Sequence, residues 1–95
     1  MSDIIDKAVE LLAAKLSGGF AGVAKFVIEG EGAIMLDQDG VRAADEPADV
    51  TLTASPDVFR AILDGEMNPT AAFMTGKLAV DGDMGQALQL GSVLG

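Results

Sequence analysis

The sequence predicts an α+β domain: one five-stranded, mostly antiparallel sheet with helices over one face. Three observations predict it. The apolar period changes from helical to two after Gly19. Turn signals at Glu29-Gly30-Glu31-Gly32 and Asp39-Gly40 separate alternating runs, which marks hairpins. Two helix starts of a polar cap followed by proline, Ser55-Pro56 and Asn68-Pro69, stand between the fourth strand and the fifth.

Residues 2–17 read as an amphipathic helix. Ile5, Val9, Leu12 and Leu16 recur at helical spacing, and Asp6, Lys7, Glu10 and Lys15 lie elsewhere on its surface. Ser2 or Asp3 caps its start and Ser17-Gly18-Gly19 stops it. In the next run Ala24, Phe26 and Ile28 share one face of a strand, with Lys25, Val27 and Glu29 on the other. AIMLDQDG forms the second strand and closes at the Asp39-Gly40 turn; VRAAD is a short third strand. In ADVTLTAS, Val50, Leu52 and Ala54 point inward and Thr51 and Thr53 outward. Ser55-Pro56-Asp57 then opens a helix that aligns Val58, Phe59, Ile62 and Leu63 and ends at Gly65. Asn68-Pro69 opens the short helix PTAAFMT. KLAVD is the last strand, and Asp83, with Gln86 three residues on, caps a final helix over 84–94.

The chain has 95 residues, which predicts one domain over 1–95 with a modest core and a total stability of about 5–14 kcal/mol. Hydrophobic residues make up 49% and charged residues 22%, a balance that suits a globular domain and argues against disorder. The net charge of −9 argues against nucleic acid, whose phosphates need Lys and Arg, and against strong docking on anionic membranes. There is no His, Cys, Tyr or Trp. That removes disulfides, Cys- or His-based metal sites, and the Ser-His and Cys-His nucleophiles. No enzyme, no metal and no cofactor is expected. Asp37-Gln38-Asp39-Gly40 begins like a calcium loop, but Arg42 and Ala48 stand where Gly and Glu are required. Neither a signal peptide nor an apolar run of membrane-spanning length is present, which places the chain in the cytoplasm.

Residues 67–84, MNPTAAFMTGKLAVDGDM, put large, soft apolar side chains on a helix too short to be stable alone. Phe73 and Met74 are about 100° apart on it. Five Met in 95 residues is an enrichment, and Met re-packs readily around variable partners. In the final helix Met84, Ala87, Leu88, Gly91 and Leu94 follow helical spacing, and Leu90 and Val93 widen the stripe. Gly85 and Gly91 weaken that helix by about 1 kcal/mol each. A weak helix with a wide apolar stripe is suited to be a lid, a frayed terminus or a dimer surface. A plastic core and an apolar pocket between helices and sheet are both open on the pattern alone.

The block from Gly65 to Leu90 resembles the signature of the sterol carrier protein 2 domain family. The residues that carry it are Gly65, Met67-Asn68-Pro69, Ala72-Phe73, Gly76-Lys77-Leu78 and Gly82-Asp83-Met84. ADVTLTASPDVFRAIL is similar to that family's fourth strand and following helix. The resemblance implies a five-stranded sheet with helices over one face enclosing an apolar tunnel. It implies non-covalent binding of long-chain lipid: fatty acid, fatty acyl-CoA, phospholipid or sterol. The lining it implies is Phe59, Leu63, Met67, Phe73, Met74, Leu78, Met84 and Leu88, with Phe26, Ile34 and Leu52 from the sheet. Three departures stand out. The chain is short, it carries no peroxisomal C-terminal tripeptide, and its acidity weakens the case for holding CoA phosphates. Lys25 and Lys77 are the cations nearest the strands, either solvated or placed to meet a carboxylate head group.

An empty tunnel of about 300 Å³ would cost roughly 7 kcal/mol, close to the whole stability of the domain. A collapsed unliganded form, or one purified with lipid inside, is therefore expected. The alternative function is an accessory or interaction domain that dimerises, or docks on a partner, through its apolar C-terminal helices.

Overall fold

The computed structural model describes residues 3–16 and 20–94. Its elements are α1 (Asp3–Lys15), β1 (Ala24–Ile28), β2 (Gly32–Asp37), β3 (Gly40–Ala43), β4 (Val50–Ala54), α2 (Pro56–Leu63), α3 (Pro69–Met74), β5 (Leu78–Gly82) and α4 (Met84–Leu94). The order is the one expected from the sequence. The cap at Ser2 and the stop at Ser17-Gly18-Gly19 lie outside the described residues.

The local signals act as read. Ser55 Oγ accepts from the Val58 N–H at the start of α2, and Gly65 follows its end with φ 81°, a conformation that favours glycine. Asn68 Oδ1 accepts from Thr70 and Ala71 N–H groups at the start of α3. Asp83 Oδ1 accepts from the Gln86 N–H and caps α4. One turn is displaced from its expected place. Asp37 pairs with Gly40, so Gln38-Asp39 forms the β2–β3 turn and Gly40 opens β3. The Asp39 N–H donates to Asp37 Oδ1 at 2.9 Å, and this local turn takes the position that Asp39-Gly40 would otherwise hold.

The sheet order is β3-β2-β1-β4-β5. β1 runs parallel to β4 and every other neighbouring pair is antiparallel. One row crosses the sheet in register: Ala43, Ile34, Phe26, Leu52 and Val80. All five belong to the core or pack against it. α1 lies against β2 and β3, α3 against β5, and α4 against β4 and β5, while α2 meets α1. α1 buries Ile5, Ala8 and Leu12; Val9 packs against the core only in part. Met35 is buried although it belongs to the other row. Its register neighbours Lys25 and Arg42 ion-pair with Asp45 and Glu46 at 2.9 and 2.6 Å, so the aliphatic stems of two charged residues flank it. Arg42 also donates to Asp37 at 2.8 Å, and this bond holds the Asp37 carboxyl below the ordinary carboxylate range.

Candidate functional site

Over the β4–β5 side of the sheet, α3 and α4 leave an apolar cleft. Phe26, Leu52, Leu78 and Val80 supply its sheet wall. Pro69 and Phe73 of α3, and Met84, Ala87, Leu88 and Gly91 of α4, supply the helical wall. Thr70 brings the single hydroxyl, and none of the lining side chains is charged. Apart from that hydroxyl the cleft offers only hydrocarbon contacts. Its volume is about 40 Å³, enough for a few waters and far below the roughly 300 Å³ of a ligand pocket. A void this small costs about 1 kcal/mol, so the fold tolerates it.

The mouth of the cleft is exposed apolar surface. Phe73 is 40% exposed, Met84 43% and Leu88 60%, on a protein whose core residues are nearly all below 6%. Ala87 and Leu90 of α4 are buried and hold the helix on one side, while Met84 and Leu88 rim the opening. The acids Asp81 and Asp83 stand just before α4 in the chain, and Lys77, just before β5, is exposed. Lys25 is held by Asp45 and lines no part of the cleft.

Six of the residues expected to line a tunnel meet at this cleft: Phe26, Leu52, Phe73, Leu78, Met84 and Leu88. Phe59 and Leu63 do not. They line a second cavity, between α1 and α2. Phe26 and Phe59 meet edge-to-face, ring centres 4.9 Å apart, and form the wall between the two spaces. Ile34, Met67 and Met74 line neither. Ile34 is in register with Phe26 but one strand nearer α1, which covers it. Met67 packs against the core from the α2–α3 link. Met74 is 79% exposed, because the turn between consecutive helical residues lets only Phe73 of the pair reach the cleft. Ile62, Pro69, Ala87 and Gly91 were not expected to line it; all lie on helix faces whose orientation depends on tertiary contacts. Val93 and Leu94, part of the expected apolar stripe, lie outside the described side chains.

Among the described residues no group of His, Cys, Asp or Glu could hold a metal ion, and no helix is long and apolar enough to cross a membrane.

Comparison with known proteins points the same way. A family model, the SCP-2 sterol transfer family, matches residues 5–95. Hydroxysteroid dehydrogenase-like protein 2 of Xenopus tropicalis is 40% identical over 82 residues, covering 78% of this chain and 20% of that protein. Sterol carrier protein 2 of Rattus norvegicus is 33% identical over 95 residues, covering 96% of this chain and 16% of that protein. The chain thus spans about a fifth or less of these relatives. Among solved structures, sterol carrier protein-2 from Aedes aegypti, in complex with the C16 fatty acid palmitate, superposes with a TM-score of 0.79. It is 24% identical, with 99% of this chain and 96% of that one covered, a likeness that establishes the fold.

Proposed function

The chain belongs to the SCP-2 sterol transfer family, and from that premise we propose that it is a non-enzymatic lipid carrier. It holds the apolar part of a long-chain ligand in the cleft between the sheet, α3 and α4. The ligand classes in view are fatty acid, fatty acyl-CoA, phospholipid and sterol-like molecules. The observation that carries this reading is the lining itself: a dozen residues with no charged side chain, opening through exposed Phe73, Met84 and Leu88. The fatty acid held by the mosquito relative of the same fold supports it.

At about 40 Å³ the cleft admits a chain only if α4 moves away from the sheet. Such a movement breaks the contacts of Ala87 and Leu90 and turns Met84 and Leu88 from solvent onto the ligand. Apolar area removed from water at about 25 cal/mol per Å² offsets the loss. With no cation in the lining, the head group stays at the mouth in water, and recognition is by length and shape rather than charge.

The test is native mass spectrometry of the purified protein, followed by organic extraction. Acyl-chain or sterol adducts lost on denaturation support a carrier. Palmitate at one hundred times its dissociation constant should raise stability by about 2.7 kcal/mol. A protein that carries nothing and whose melting temperature ignores fatty acid, acyl-CoA and sterol overturns the reading. The exposure of Met74 beside the mouth favours a second one, a homodimer or partner protein seated on α3 and α4. Concentration-dependent assembly that Met74→Glu abolishes would select it.

A further inference from the structure

A cavity larger than the cleft lies on the opposite side of the Phe26–Phe59 wall, between α1 and α2, with a volume of about 300 Å³. That is the lower bound of small-molecule pockets, and several times the cleft. Its floor is apolar: Ala8 and Leu11 from α1, Phe59 and Leu63 from α2. Ile4, 42% exposed, stands at its edge; it is the large apolar side chain of α1 that the core does not take in. At the i, i+3 and i, i+4 spacing of a helix, Ile4, Lys7 and Leu11 share the stripe of α1 that faces α2.

Four charged groups rim this floor, and their pairing is unequal. Asp64 is 3.7 Å from the Arg60 guanidinium on the same helix. Asp3 sits in the first turn of α1, where the helix dipole supplies its positive counter-charge. Lys7 has no ion pair among the described residues. The rim is thus left with one ammonium group over an apolar floor. The acids on the same rim, on a chain of net charge −9, act against a polyanionic head such as a nucleotide or several phosphates.

We propose that the α1–α2 groove is a second ligand site, for a single-chain amphiphile with one carboxylate head. Lys7 takes the carboxylate and the chain lies over Ala8, Leu11, Phe59 and Leu63. The site is separate from the cleft. It needs no movement of α4, and it stands whether or not the cleft holds lipid.

The experiment is an amide chemical-shift titration of the full chain with decanoate below its micelle concentration, repeated with 1-decanol and with Lys7→Gln. Decanoate should give saturating shifts in the first two turns of α1 and in α2. Lys7→Gln should raise the dissociation constant read from those amides by about twofold to fivefold, the range of an exposed ion pair, and leave those of β5, α3 and α4 unchanged. Decanol should bind the groove more weakly by a similar factor. Shifts confined to β5, α3 and α4 overturn the proposal and leave the carrier reading standing. Equal affinity of wild type and Lys7→Gln, or of decanoate and decanol, overturns it as well.

Discussion

α1 and α4 are helices of 13 and 11 residues packed on the same face of one sheet, and they are built in opposite ways. α1 carries Asp3, Asp6, Lys7, Glu10 and Lys15 toward water and buries Ile5, Ala8 and Leu12 over β2 and β3. α4 carries no charged residue and holds two glycines; among its described side chains it buries Ala87 and Leu90 and exposes Met84 and Leu88. In α1, sequence amphipathicity and tertiary burial agree apart from Ile4, so the helix has one stable place. In α4 they disagree: among its described side chains, Met84 and Leu88 are apolar and exposed. A helix with unspent apolar surface and a weak backbone is one that a ligand can displace and re-cover.

The comparison breaks first if the two helices respond alike to truncation. Leu12→Ala, at a fully buried site of α1, should cost about 2–5 kcal/mol in urea unfolding. Gly82→Ala tests the anchor of α4. A Cβ there would overlap the Asp49 carbonyl oxygen, and Gly82 has φ 107°. The expected cost is about 1–3 kcal/mol, with amide exchange rising first at Ala87 and Leu90. Leu88→Ala, on the exposed side of α4, should leave stability within about 0.5 kcal/mol and weaken palmitate binding about tenfold, a split that Leu12→Ala cannot show. Gly91→Ala sharpens the contrast from the other direction. Its Cβ would meet only Pro69 Cβ at 3.8 Å, so α4 should gain about 0.5–1 kcal/mol, exchange more slowly and admit ligand more slowly.

The smallest effect is expected at the far edge of the sheet. Arg42 lowers the Asp37 pKa below its ordinary 3.8, so the native state favours the ionised carboxylate. That contribution is full above pH 3.8 and is lost as pH falls below it through the lower native value. Asp37→Asn should therefore lower the melting temperature slightly at pH 7, and the difference should vanish in acid, where both proteins lack the charge. At pH 7 the substitution should leave the exchange of α4 unchanged.

Much of the fold was legible in the sequence because its signals act over a few residues. The Ser55 and Asn68 caps, the alternation of Val50, Leu52 and Ala54, and the capping by Asp83 each depend on neighbours within four positions, and the structure shows each one. The family signature around residues 65–84 brought in the rest of the architecture. What it did not carry was the division of the apolar space. Phe59 and Phe73 follow similar helix starts, yet one ring closes against Phe26 beneath α2 and the other opens to solvent.

The sequence by itself determined which residues are apolar, the order of the elements and the capped helix starts, and which strand face turns inward. These follow from backbone geometry and short-range hydrogen bonds. Tertiary structure alone decided which inward residues line a cavity and which are closed over by a helix. Ile34, Phe26 and Leu52 occupy one register row and are equivalent in the sequence pattern. They differ because α1 lies over the first, α2 meets the second, and α4 reaches the last. A cavity is the space that packing elements fail to fill, and so it belongs to pairs of elements far apart in the chain rather than to any residue in it.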